Sequence, residues 1–214
     1  DVGRKAFSVE SIERLLERMA ALGFTALKLH LTETHRVGVQ LPGFEQLAAD
    51  DAWTAGDAAR IVEAAQGVGI ALIPEVDLPS HAGALLVGRE HLRLTDRHGT
   101  VHPDRLDVSR PESLEFALAL TEAAAALFPG DAVHLGGDEF FAAPWEDEDA
   151  QRPDRFPTLV EHARHEVGEG ATALDSYALF MNALAARVLE SGRPPILWTD
   201  PVVPASERPL VPIT

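Results

Sequence analysis

The run His134-Leu135-Gly136-Gly137-Asp138-Glu139 places two adjacent carboxylates directly behind two glycines. The apolar stretch Ala132-Val133-His134-Leu135 before it reads as a buried strand. Successive strand side chains point to opposite faces. Glycine admits backbone angles that other residues avoid, so a turn there can bring both acids into one pocket. Two carboxylates in a dry pocket push their pKa values apart, which leaves one usable as an acid near neutral pH. The plain alternative is an acidic loop after a strand.

Polar residues recur wherever an apolar run stops. Arg4 follows the first segment, His30 through Glu33 end the next run, and Glu75 through His81, with Asp77 between them, end the one after. Trp198-Thr199-Asp200 closes a fifth. Each has a plain structural reading: Arg4 as a surface cation, His30 and Trp198 as core, Asp77-Leu78-Pro79-Ser80-His81 as a turn. Their recurrence at every strand end points to convergence on one pocket.

The elements that would position them alternate. Ser8 can cap a helix over about 9–22, on which Ile12, Leu15, Leu16, Met19 and Leu22 recur at helical spacing. Residues 26–31 read as a strand, Thr54 or Asp57 opens a second helix, and residues 70–76 form the next strand, with Pro74 inside it. Ser109-Arg110-Pro111-Glu112 has capping-box spacing and opens a helix to about Leu127. A helix through Tyr177 and Met181 to about Gly192 precedes a strand at 195–198, and residues 210–213 read as one more. Counting the segment before Arg4, six strands are expected.

Such alternation implies a parallel sheet with right-handed crossovers. Helix-to-strand links are short, whereas the strand-to-helix links near 32–53, 77–110 and 140–172 are long. Loops after the strands build the active face of an α/β barrel. An open doubly wound sheet would also bind ligands at strand carboxyl ends, but no glycine-rich phosphate loop follows an early strand. The fold class expected is α/β, a (β/α)8 TIM barrel incomplete at its C-terminal end, filling residues 1–214 with no second domain. At 214 residues the chain is shorter than the roughly 250 typical of that barrel. Residues 146–155 read as a solvated insertion.

With 18 basic against 34 acidic residues the net charge is -16, which argues against nucleic acid or an anionic membrane as partner. The absence of cysteine excludes disulfides and thiolate metal sites but leaves the compartment open. No apolar run approaches the roughly 20 residues of a membrane span, and no signal peptide is present. The chain opens at Asp1 and reads as a segment of something longer.

Asp1-Val2-Gly3-Arg4, His30-Leu31-Thr32, Pro74-Glu75-Val76-Asp77-Leu78-Pro79-Ser80-His81, the His134–Glu139 run and Trp198-Thr199-Asp200 occur in that order. In them the chain resembles the family-20 glycoside hydrolases, the β-N-acetylhexosaminidases, from Asp1 to about Asp200. The resemblance implies hydrolysis of terminal β-linked N-acetylglucosamine or N-acetylgalactosamine with retention. The substrate's 2-acetamido oxygen is then the nucleophile and an oxazolinium the intermediate, an exception to the two-carboxylate scheme. It implies Glu139 as acid and then base, Asp138 as holder of the acetamide N–H, and His81 as support for Glu139. Arg4 would bind ring hydroxyls and Trp198 would wall the acetamide pocket. His30, Glu33, Asp77, His134 and Asp200 complete the substrate-binding set. The residues agree independently: adjacent carboxylates flank a bond poorly but can address two neighbouring atoms of one sugar.

The chain departs from the family pattern. Glu33 stands where the family has Asp, and the extra methylene is expected to threaten the relay to His81. Ser80 replaces a glycine, Arg36 is offset from a family arginine, and the tyrosine of the family's last strands has no match, since Tyr177 falls in a helix. No metal or organic cofactor is expected. A degenerate barrel serving as a carbohydrate-binding or structural module remains the alternative. A metal-dependent hydrolase using His30, His81 and His134 lacks histidines paired at i and i+2 or i+4. Taken alone, the 214 residues are expected to be poorly stable and weakly active, with open sheet edges through which a homodimer could form.

Overall fold

The computed structural model describes residues 1–141, 152–200 and 210–213. In chain order its main elements are α1 (Val9–Ala21), β1 (Ala26–His30), α2 (Ala55–Gly67), β2 (Ala71–Leu78), β3 (Arg93–Thr95), β4 (Val101–Leu106), α3 (Pro111–Leu127), β5 (Val133–Gly136), α4 (Pro157–Glu166), α5 (Ala173–Glu190) and β6 (Pro195–Ile196). Four strands form one parallel sheet in the order β1-β2-β5-β6. Helices cover one face of it. Val9, Ile12 and Leu16 on α1, Ile61 on α2 and Leu120 on α3 are buried; each such side chain contributes about 1.5–3 kcal/mol by leaving water.

The helix starts follow local chemistry. The Ser8 side chain accepts from Ser11 N, and Thr54 and Asp57 together form the capping box of α2. The capping box expected at Ser109 does not form. The Ser109 hydroxyl donates to Asp107 Oδ1 at 2.5 Å, and α3 starts with Pro111 after an Arg110 N-cap that makes no side-chain bond.

The opposite face of the sheet is charged. Residues i and i+2 share a strand face, and Lys28 with His30 on β1 face the same side as Glu75 with Asp77 on β2. His30 pairs with Glu75 in the parallel register, and Glu75 with His134. Beyond that, three steps along β2 (Glu75 to Leu78) match two along β5 (His134 to Gly136), so the ladder is irregular where the polar residues emerge. Irregularities of this kind re-aim side chains near active sites.

Among the described residues six strands are present, but not the six expected. Residues 2–4 form a turn, docked on β1 through Val2 N and Gly3 N donating to His30 O at 2.9 and 3.2 Å. Residues 210–213 contain no strand. In their place the 77–110 link folds into the antiparallel hairpin β3–β4, and the 140–172 link carries α4. The expected solvated insertion at 146–155 falls outside the described residues up to 151; Arg155 within it is instead held by Asp96 of the hairpin turn at 2.5–2.7 Å. The strand expected at 195–198 ends at Ile196, and Trp198 N then donates to Gly136 O at 2.8 Å.

Candidate active site

Glu75 is fully buried and gathers the charged face into one hub. Oε2 lies 2.6 Å from Lys28 Nζ and 2.6 Å from His30 Nδ1. Oε1 lies 3.0 Å from His134 Nδ1 and accepts from Trp198 Nε1 at 3.2 Å. Burial alone would raise this carboxyl, but its bonds to His134, His30 and Lys28 outweigh it and hold Glu75 far below the carboxylate range. The hub also fixes Trp198. Its indole is tilted on the His134 ring at 5.1 Å, Lys28 Nζ sits 4.6 Å from its centroid, and 43% of the residue stays exposed.

Asp77 stands one strand repeat above Glu75. Burial first, and then the Asp138 carboxylate beside it, push its carboxyl up to about 10, so it carries a proton at neutral pH. Ligand atoms of Asp77, His81 and Asp138 all lie within 4.8 Å of one another. The close approach depends on Gly136, which has φ 76°; a Cβ there would come within 2.2 Å of Asp77 Oδ1.

A second line of groups runs across the strand ends. Glu33 Oε1 lies 2.5 Å from Arg4 Nη2 and 2.8 Å from His81 Nδ1, and Glu33 Oε2 accepts from Thr34 N. Burial works to raise Glu33, but the Thr34 N–H, His81 and Arg4 prevail and hold it below its ordinary value. His81 Nε2 then lies 3.4 Å from Glu139 Oε2 and 3.7 Å from Asp138 Oδ2. The extra methylene of Glu33 therefore does not break the line to His81. His81 and Glu139 both have positive φ, 53° and 55°. Non-glycine residues hold that conformation at a cost of about 1–2 kcal/mol, and such strain clusters at functional sites. Glu139 N donates to Asp200 Oδ2 at 2.8 Å, which fixes the turn on its far side.

The structure thus brings Arg4, Glu33, Asp77, His81, Asp138, Glu139 and Asp200 to one rim. The side chain of Glu139 is 63% exposed and that of Asp138 26%. His30 and His134 lie below that rim, buried, with Nδ1 against Glu75. Arg36 is engaged elsewhere, with Asp51 and Val2 O. Of the three histidines in the metal reading, only His81 belongs to the Asp77–His81–Asp138 group. The sequence reading missed Glu75 as a hub, although its place beside Pro74 in a strand marked it for inspection. It also missed Tyr177, whose hydroxyl donates to Gly137 O at 2.7 Å from a helix.

The charged face of the parallel sheet thus lies beneath the two adjacent carboxylates at the end of β5. The profile described as glycosyl hydrolase family 20, catalytic domain, matches residues 1–210, and the chain belongs to this family. It is 26% identical over 196 residues to the lacto-N-biosidase of Bifidobacterium bifidum, covering 92% of this chain and 17% of that protein. It is 29% identical over 156 residues to the β-N-acetylhexosaminidase of Cellulomonas fimi, covering 65% of this chain and 32% of the relative. In fold it resembles the chitobiase of Flavobacterium johnsoniae, with TM-score 0.75 and 24% identity over 95% of this chain and 31% of that one. The chain therefore spans about a third or less of these proteins, and its parallel sheet is part of a (β/α)8 barrel.

Proposed function

We propose that this chain carries the catalytic pair of a β-N-acetylhexosaminidase, which removes terminal non-reducing β-linked N-acetylglucosamine or N-acetylgalactosamine with retention. The observation that carries the reading is the line Glu33–His81–Glu139, with Asp138 alongside it and protonated Asp77 behind. Glu139, exposed and backed by His81, protonates the glycosidic oxygen as the C1–O bond breaks. Asp138 stands beside Asp77 and His81, with ligand atoms of the three within 4.8 Å of one another. It accepts the acetamide N–H and stabilises positive charge while the acetamide oxygen bonds to C1. Glu139, now a carboxylate, takes a proton from water. The resulting hydroxide attacks C1 and releases the acetamide oxygen.

Arg4 keeps a half-exposed guanidinium whose remaining donors suit ring hydroxyls. The open face of Trp198 suits the acetamide methyl. His30 and His134 support that wall through Glu75, and Asp200 supports Glu139 through its backbone. The reaction needs no metal or organic cofactor.

The test is nitrophenol release from a β-N-acetylglucosaminide beside the matching β-glucoside, using the protein that carries this chain. Release from the first alone is expected, since the glucoside lacks the internal nucleophile. Equal release from both would overturn substrate assistance. Release from neither, with the acetamido sugar still bound, would instead indicate a carbohydrate-binding barrel.

A further inference from the structure

Three consecutive backbone carbonyls in the catalytic turn are each held by a different element. Gly136 O accepts from Trp198 N at 2.8 Å, Gly137 O from the Tyr177 hydroxyl at 2.7 Å, and Asp138 O from the Ser80 hydroxyl. The first bond is backbone to backbone and extends the sheet. The other two come from side chains, and together they bracket Asp138. Tyr177 is fully buried on α5, and its ring stacks on Phe140, the residue after Glu139, at 5.6 Å and 27°. One side chain therefore grips the backbone before the acid pair and the ring after it. Gly137 leaves room for this: it has φ 105°, and a Cβ there would lie 2.8 Å from the Tyr177 hydroxyl and 3.0 Å from Trp198 O. Burial, with Asp200, Asp138 and Asp77 nearby, pushes the phenol well above its ordinary pKa, so it remains a donor. Ser80 is also buried, and it precedes His81 directly. Its bond to Asp138 O ties the turn that carries His81 to the turn that carries the acids.

We infer that Tyr177 and Ser80 are positioning residues, two hydroxyl latches that aim the Asp138 and Glu139 side chains by holding the Gly137 and Asp138 carbonyls. The inference rests on the glycosidase reading above. Neither hydroxyl touches the reacting atoms. Their effect passes through the peptide planes on which both carboxylates are mounted, and small misplacements of a catalytic group cost on the order of 100-fold in rate.

The experiment compares wild type, Tyr177→Phe and Ser80→Ala on two β-N-acetylglucosaminides, one with a dinitrophenol leaving group and one with an alkyl alcohol. Each variant loses a single oxygen. The dinitrophenolate departs without protonation, whereas the alcohol requires the Glu139 proton. A misaimed Glu139 predicts a kcat loss on the alkyl substrate on the order of 10-fold or more, several-fold larger than on the dinitrophenyl substrate, whereas a misaimed Asp138 adds an equal loss on both. The ratio of the two rates cancels the amount of folded enzyme, so it separates aim from stability. Equal losses on both substrates, or no loss in either variant, would overturn the inference while leaving the glycosidase reading intact. A wild type inactive on both would overturn that reading and the latches with it.

Discussion

Glu33 and His81 meet through a single oxygen: Oε1 lies 2.8 Å from His81 Nδ1 and also 2.5 Å from Arg4 Nη2. One carboxylate thus joins Arg4, proposed to meet the sugar hydroxyls, to His81, proposed to back the acid Glu139. Shortening it to aspartate retracts the oxygens by about one bond length, ~1.5 Å, so both contacts cannot survive without backbone movement. Glu33→Asp is expected to lower kcat and raise KM together. Glu33→Gln keeps the reach and removes the charge, and is expected to lower kcat by roughly 10- to 100-fold, inside the range that acid–base assistance supplies. Because native Glu33 is depressed, it contributes stability above its unfolded pKa of about 4.3, and that stability is lost as pH falls through the acid range. Melting curves of Glu33→Gln from pH 6 to pH 3 should be flatter than those of wild type.

Asp77 gives the opposite pH dependence. Its native pKa of about 10 lies far above the unfolded value of about 3.9. Between those limits the native state binds the extra proton, so stability falls as pH rises through the window. Asparagine mimics the protonated acid. Asp77→Asn should therefore gain on wild type in thermal stability as pH rises from 5 to 9. A constant difference across that range would show that Asp77 is ionised in the native protein.

Glu75 gathers four side-chain nitrogens in a buried site, and removing it takes a contact from Lys28, His30, His134 and Trp198 at once. Breaking a buried charge cluster from one side costs about 3–5 kcal/mol. Glu75→Ala should thus lower the denaturant midpoint sharply, and Trp198 fluorescence should shift as its indole N–H loses its acceptor. Glu75→Gln, which retains one acceptor oxygen, should fall between the two.

The hairpin that backs His81 is pinned at its turn. Asp96 accepts from His98 N, Thr100 N and Arg155, while Leu106 N donates to Pro79 O and Ala82 N to Asp104 O at 2.9 Å. Arg155→Met should raise amide exchange in residues 93–106 and leave the exchange of β1 and β2 unchanged. Unchanged exchange in the hairpin would mean that the turn holds itself without Arg155.

Much of this was legible in the chain. Helical spacing and start signals gave α1, α2, α3 and α5, and the apolar runs at 26–31, 70–76 and 132–135 gave β1, β2 and β5 to within a few residues, because apolar patterning is a local property. The acid pair was legible because glycines and carboxylates stand together. The hairpin was not: β3 has only three residues, and β4 carries Pro103 among charged residues, so neither shows strand periodicity. The weak amphipathic pattern of α4, with Leu159 and Ala163 as its buried residues, hid it inside a link. The roles of Glu75 and Tyr177 depend on partners 40 or more residues away. In sequence Tyr177 is one apolar position among many on a helix, and its hydroxyl acquires a purpose only when α5 docks beneath Gly137.

The most direct measurement is the rate of N-acetylglucosaminide hydrolysis by Glu139→Gln beside wild type. Glutamine keeps the shape of the turn and its bond to Asp200 but can neither give nor take the proton. Turnover by wild type is expected, with a loss on the order of 100-fold or more in the variant on poor leaving groups. Wild-type rates in Glu139→Gln would contradict this expectation and move the acid to another residue.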